Sequence, residues 1–291
     1  MCRAADDGEF RPGHANARAP ETEQAMRVGL FSDVHGNLQG LRAVLHRLAR
    51  EGVDRTVCLG DVVGYGGDPE ACVELVAQRA DACVMGNHDL AILEPALRRG
   101  FNPAARAAVD AHAEWLRPEH HAWLRTLPLV EAEGSAAEPS EALFLTHATP
   151  GEAAPFTYLL TSRQAGAALG AFRERFAAVG HTHVPVLFEE VAGDAGSCAE
   201  MRERSWRAAP PDPADPAAKE LGVAEDARAI VNPGSAGQPR DGDPRAACMV
   251  LDLASGRVRA LRVEYDVPAA QTAIRRRGLP PVLATRLAVG R

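Results

Sequence analysis

The chain has 291 residues, 46% of them hydrophobic, and a net charge of −7, enough to bury a full core in one large α/β domain or two small ones. The acidic balance leaves no basic face for tracking a nucleic-acid backbone, which excludes long nucleic acid as a partner and makes any phosphate chemistry local to one site. No apolar stretch approaches the roughly 18 to 20 residues of a membrane helix, and residues 1–25 are polar and Ala/Arg/Glu-rich without a signal-peptide core. A disordered N-terminal tail over 1–25 and a single catalytic domain over 26–291 are expected, in a cytoplasmic protein that meets no membrane.

In chain order, MRVGLFS at 26–32 predicts a strand ending in a polar cluster, and apolar residues at helical spacing from about Asn37 predict a helix. The grammar repeats: RTVCLGD is a strand, GYGGD a loop, PEACVELVAQRA a helix that Pro69 can start and Asp68 can cap, and DACVMGN another strand. Alternation of this kind indicates parallel β-α-β units, in which ligands collect at the carboxyl ends of the strands. Residues 88–127 predict a helical excursion, with Trp115, Leu116, Trp123 and Leu124 at core-like spacing. Strands are expected at 127–132 and 142–146, a helix at about 162–175, and a strand opening into GHTH. From about 192 to 227 the Ala, Pro, Asp, Glu and Arg-rich composition, including APPDPADPAA, reads as a flexible insertion. ARAIVNPGS, RAACMVLDL and RVRALRVEY then predict strands closing a second sheet, followed by a helical tail from about Pro268.

Cys2, Cys58, Cys72, Cys83, Cys198 and Cys248 form no CxxC pair, as expected of reduced thiols; Cys58 and Cys83 read as small buried hydrophobes. Lys219 is the only lysine.

Five short blocks sit at the mouths of the predicted strands: FSDVHGN, LGDVVGYGGDP, MGNHD, LTH and GHTH. They present Asp33, His35, Asp61, Asn87, His147, His181 and His183, an oxygen and imidazole mixture suited to borderline divalent cations such as manganese, iron and zinc. Together they read as a dinuclear centre. Two cations about 3.5 to 4 Å apart can generate a nucleophile and clamp a phosphoryl group, and a carboxylate must bridge them. Asp61 is the best placed, since its strand lies between those carrying Asp33 and Asn87. In DxH and HxH, donors two residues apart point the same way from an extended segment. His14, His46, His112, His120 and His121 lie in tail or helical segments and read as structural; of these, only the pair His120 and His121 is near enough to the excursion to reach substrate.

The order DxH, GDxx, GNHD, TH and GHxH over 33–183, with NPGS and GQPRDGDPRAA at 232–247, resembles the calcineurin-like metallophosphoesterases, in particular small bacterial members. The resemblance implies a four-layer αββα fold, two mixed β-sheets packed as a sandwich flanked by helices. It implies one cation held by Asp33, His35, Asp61 and His183, and a second by Asp61, Asn87, His147 and His181, with manganese first and iron or zinc as alternatives. A metal-bridging hydroxide would attack phosphorus, and His88 would meet the leaving-group oxygen.

Where related protein Ser/Thr phosphatases and dinucleoside tetraphosphate hydrolases carry GDxVDRG, this chain has Gly64 and Tyr65. The arginine phosphate clamp is absent, and so is the acid that orients the catalytic histidine, unless Asp68 or Asp89 substitutes. The expectation is therefore a hydrolase of small phosphodiesters, nucleotides included. A protein phosphatase or dinucleoside polyphosphate hydrolase is the alternative, and a silent scaffold the alternative of another class. Asn37, Tyr65, Asp89, Gln238 and Arg240 are the expected substrate contacts, with Arg240 equally suited to a loop salt bridge to Asp241 or Asp243.

Overall fold

Side chains alternate along the first strand, β1 (Arg27–Phe31): Val28 and Leu30 face one apolar cluster, while Phe31 faces another. Period-2 alternation with both faces apolar needs cover on both sides. The computed structural model, which describes residues 26–133, 142–152, 156–191, 200–204, 206, 211–212 and 214–291, supplies it with four layers. The N-terminal tail with Cys2 and His14, and Cys198, lie outside the described residues.

Helix α1 (Leu38–Glu51) follows β1 and buries Leu41, Val44, Leu45 and Leu48, an i, i+3, i+4, i+7 stripe, against the outer face of the sheet. Asn37 caps its N-terminus through its side chain, and Gly52 closes it in the left-handed conformation. Next come β2 (Arg55–Cys58), α2 (Pro69–Arg79) and the short β3 (Ala82–Cys83). Asp68 stands at the N-cap of α2 but makes no side-chain cap hydrogen bond there, so the proline at the first turn carries the initiation. Residues 87–124 hold α3 (Asn87–Leu93), a 3₁₀ turn, α4 (Pro103–Trp115) and α5 (Pro118–Leu124).

Strands β4 (Val130–Glu133) and β5 (Leu143–Thr146) precede α6 (Ser162–Ala168), which ends in a 3₁₀ turn at Leu169–Ala171 rather than running to 175. After β6 (Phe176–Ala178) and β7 (Val186–Val191), the segment expected to be a loop contains strands: β8 (Glu200–Arg204), β9 (Pro211–Asp212) and β10 (Asp215–Gly222). Its composition hid them because they lie toward the sheet edges, where charged side chains are tolerated on the open face. Lys219, Glu220 and Leu221 of β10 pair with Ala260, Arg259 and Val258 near the end of the chain. The chain ends with β11 (Ala229–Asn232), β12 (Ala246–Asp252), β13 (Arg257–Val263), α7 (Val267–Arg276) and α8 (Pro281–Thr285).

One sheet has the order β3-β2-β1-β12-β13-β10-β9 and the other β4-β5-β6-β11-β7-β8. Both are mixed: β1, β2 and β3 run parallel, as do β5, β6 and β11, while β12 lies antiparallel against β1. Of the three late strands expected to close the second sheet, only β11 joins it; β12 and β13 extend the first. Val28, Leu30, Val57, Leu143, Phe176, Leu187 and Met249 fill the space between sheets, and α6 with the 3₁₀ turn after it covers the far side of the second sheet through Ala165, Ala168 and Leu169. The parallel strands β1, β2, β3, β5 and β6 therefore aim their carboxyl ends at one edge of the sandwich, where all five motif loops emerge. Among the described residues, no helix is long and apolar enough to cross a membrane. Cys58, Cys72, Cys83 and Cys248 are buried free thiols.

Candidate metal centre

The loops after β1, β2, β3, β5 and β6 bring the motif side chains into one buried cluster. Asp33 Oδ1 lies 3.2 Å from His183 Nε2 and 3.7 Å from His35 Nε2. Asp61 Oδ2 lies 3.5 Å from His35 Nε2 and 3.4 Å from His147 Nε2, so it stands between the two halves. His147 Nε2 and His181 Nδ1 are 3.2 Å apart. Donor atoms of Asp33, His35 and His183 form one compact group and those of Asp61, His147 and His181 another; His88 also falls within a group with His35 and Asp61. The Asn87 amide oxygen and Asp33 Oδ1 are buried without a hydrogen-bond partner.

Backbone carbonyls set the imidazole tautomers. His35 Nδ1 lies 2.9 Å from the Val63 carbonyl and His183 Nδ1 2.6 Å from that of Gln238, so each Nδ1–H donates and each Nε2 keeps its lone pair. Yet the two Nε2 atoms face each other at 3.2 Å. Burial pushes both imidazoles well below their ordinary pKa, so neither carries a second proton. Two lone pairs and the Asp33 carboxylate converge on one point with no donor among them, an arrangement a cation relieves. Burial also lifts Asp33 to about 6, whereas at Asp61 it is outweighed by His147 and His88, which hold that carboxylate well below its usual range. Burial opposes charge on His147, but the neighbouring Asp61 carboxylate overrides it and raises that imidazole to about 10.

The backbone here is strained. Among the described residues, the non-glycine positions in the left-handed region are Asp33, His35, Asp61, Tyr65, Phe156, His181 and His183, with φ between 48° and 68°. Such conformations cost of order 1 to 3 kcal/mol each and persist where the surroundings over-determine them. Gly86, which precedes Asn87, shows that tightness: a Cβ there would lie 2.1 Å from Asp61 Oδ1.

Two expected substrate contacts take other roles. Asn37 is buried, caps α1 through Gly40 N and donates to the Gly237 carbonyl. Asp89 is buried and accepts from Val62, Val63 and Gly86 N–H, so it shapes the loop behind Asp61 instead of orienting His88. Among the described residues His88 Nδ1 has no hydrogen-bond partner, and the space an acidic side chain would need is Gly64, whose Cβ would sit 2.2 Å from that nitrogen. Burial pushes His88 down to about 4, leaving a neutral imidazole at pH 7. Gln238 presents its carbonyl to His183 and its side-chain oxygen to Arg240. Arg240 reaches Gln238 and the Tyr65 hydroxyl, with its guanidinium 5.7 Å over the Tyr65 ring. Asp241 pairs with Arg262, and Asp243 with Arg245, so neither expected loop partner holds Arg240.

Other participants were invisible to spacing arguments. Asn232 donates to the Gly180 carbonyl, and Ser235 Oγ donates to that of Asp33, so the NPGS segment ties the β1 and β6 loops together. His120 is buried against Glu74 and Arg117, away from the cluster. His112 holds the loop of Gly64 and Tyr65: its Nδ1 accepts from Gly64 N–H and its Nε2–H donates to the Gly66 carbonyl. Burial lowers His112 to about 3. Above pH 6.5 both folded and unfolded chains hold it neutral; below, only the unfolded chain gains the proton, so its contribution is lost as pH falls from 6.5 toward 3. His112→Ala is expected to destabilise by about 2 to 4 kcal/mol at pH 7.5 through two orphaned backbone groups, and the gap to wild type should narrow by about 2 kcal/mol at pH 5. Urea denaturation at the two pH values checks this.

A two-sheet sandwich that gathers carboxylate, amide and imidazole donors at its strand ends defines a metal-dependent hydrolase class. The chain belongs to the calcineurin-like phosphoesterase superfamily, whose domain profile matches residues 26–256. It is 30% identical over 265 residues to an uncharacterized protein of Methanocaldococcus jannaschii, covering 91% of this chain and 98% of that one. A metallophosphoesterase crystal structure from Sphaerobacter thermophilus is similar at 37% identity and a TM-score of 0.73, over 92% of this chain and all of that one. A hypothetical protein of Pyrococcus horikoshii shares the fold at 18% identity and a TM-score of 0.69, over 91% and 99% of the two chains.

Proposed function

We propose that this single domain is a dinuclear phosphoesterase that hydrolyses small phosphodiesters, nucleotides among them. The facing lone pairs of His35 and His183 at 3.2 Å, with Asp33 beside them, carry the reading. Asp33, His35, Asp61 and His183 would hold one divalent cation, and Asp61, Asn87, His147 and His181 the other, with manganese first and iron or zinc served by the same donors. Bound there, the cations supply a water of lowered pKa and neutralise the phosphoryl oxygens.

The protein's own groups do the rest. The carbonyls of Val63, Gln238 and Leu59 lock the rotations of His35, His183 and His147, so the donors need no rearrangement on binding. Asp61 accepts from His88 N–H at 2.8 Å, which couples the shared carboxylate to the start of α3. His88, neutral, donates one hydrogen bond to the leaving oxygen as charge builds there. Arg240, supported by the Gln238 side chain and Tyr65, offers a cation to a non-bridging phosphoryl oxygen from a different loop than the GDxVDRG arginine would. One such arginine, and no acid on His88 Nδ1, suits a singly charged diester better than a dianionic monoester or a phosphoprotein.

Metal-stripped protein resupplied with manganese is expected to cleave bis-p-nitrophenyl phosphate with kcat/KM at least about tenfold above p-nitrophenyl phosphate, and to lose turnover on chelation. No turnover with manganese, iron or zinc would remove the hydrolase reading. A preference for the monoester would remove its diester half.

A further inference from the structure

An open cleft of about 310 Å³ leads from the cluster to solvent. Its floor is His88, Asn87 and His181, so the organic part of a phosphate held at the centre has this space to enter. One wall comes from the helical excursion, where Phe101 packs 4.7 Å from His88 and Leu97 stands 42% exposed. The other comes from the segment after β5, where Tyr158 lies flat on His181, with ring centroids 3.9 Å apart and planes at 10°, and is itself 43% exposed. Phe156 stands beside it.

Each wall is thus an aromatic ring anchored on an imidazole of the site and open toward solvent. Every non-glycine left-handed residue described is either a candidate donor or one of two cleft aromatics, Tyr65 and Phe156. Backbone strain at an aromatic that holds no ion places the ring, and strain of this kind collects at ligand clamps. Among the described residues the lining contains no Asp, Glu, Lys or Arg, so these offer nothing to a second phosphate or to an acidic peptide. Its volume lies at the low end of small-molecule sites, about 300 to 1,000 Å³, which fits one nucleoside and not a polymer.

Resting on the phosphodiesterase reading, we propose that this cleft is a nucleoside subsite, in which the base stacks on Tyr158 and against Phe101 while the 5′-phosphate lies over the donor cluster. Stacking is sequence-tolerant because every base has a π-face, so the subsite selects a nucleoside without choosing among bases.

Calorimetric titration of the manganese-loaded full chain with adenosine 5′-monophosphate, ribose 5-phosphate and phenyl phosphate, completed before measurable hydrolysis, tests it by binding. Adenosine 5′-monophosphate should bind about tenfold or more tighter than ribose 5-phosphate, which carries an anomeric hydroxyl where the nucleotide has its base. Tyr158→Ala should bring that ratio close to one, and Tyr158→Phe should keep it. Three results overturn the proposal: equal affinities for the two pentose phosphates in the wild type, equal weakening of both by Tyr158→Ala, which would make Tyr158 a prop for His181, or phenyl phosphate binding as tightly as the nucleotide. Diester turnover with equal affinities defeats the subsite alone, whereas absence of metal-dependent turnover defeats the reading beneath it.

Discussion

Asp61→Asn is expected to lower kcat/KM by about a thousandfold or more, some 4 kcal/mol of transition-state stabilisation, with loss of bound metal. Asp61 Oδ2 lies within 3.5 Å of both His35 and His147, and its other oxygen accepts from His88 N–H. Asparagine keeps the shape and an oxygen acceptor but removes the negative charge on which two cations would depend. The metal-free fold should weaken as well. His147 and His88 hold the Asp61 carboxylate well below its usual range, and Asp61 in turn raises His147, so the charged pair favours folding at neutral pH. The variant's metal-free Tm should therefore fall below the wild-type value, while the rise in Tm on adding manganese disappears. Atomic absorption, thermal melts and turnover, measured together, check the three parts. An Asp61→Asn protein that keeps its metal-induced stabilisation and turns over would contradict a shared carboxylate.

The second large effect is expected at His88, and it should differ in kind. His88→Ala ought to lower kcat by about 10²- to 10⁴-fold for diesters with alkyl leaving groups, with KM little changed. The loss should be much smaller for a p-nitrophenyl ester, whose leaving oxygen needs little help as it departs. Metal content and metal-induced stabilisation should remain, because the Asp33 and Asp61 groups with their paired histidines are complete without it. Equal losses for both leaving groups, or loss of metal, would make His88 a ligand or a structural support. The local geometry leaves room for the helper's role: among the described residues nothing bonds its Nδ1, and glycine at 64 puts no acidic side chain on that nitrogen.

These expectations begin in short sequence blocks and end in contacts that the blocks do not contain. DxH, GD, GN, TH and GHxH each join an apolar strand pattern to a donor-rich loop, so residue types and order announced a metal-dependent hydrolase. The path from β1 through α2 was equally legible, since the period-2 run of β1, the helical spacing after Asn37 and Pro69 are local signals. Less was legible where an assignment depended on partners far along the chain. The apolar run of β12 gives no sign that it pairs with β1, and β10, rich in charge and alanine, hid a strand inside an apparent loop. Asn37 and Asp89 stood beside the motifs and looked available to substrate. Their hydrogen bonds to Gly237, Val62 and Val63 are made by backbone that only the folded chain brings near.

Sequence by itself thus determined the chemistry on offer: the donors, their order, the missing GDxVDRG clamp and the alternating strand and helix grammar. Tertiary structure alone decided where those donors point, that Arg240 turns to Tyr65 rather than to its acidic neighbours, and that Phe101, Phe156 and Tyr158 wall one cleft. The physical reason is that strand and helix patterns are written in neighbouring residues. The direction of a side chain on a left-handed loop is set by packing among segments more than a hundred residues apart, as Asp33 and His183 are at 3.2 Å.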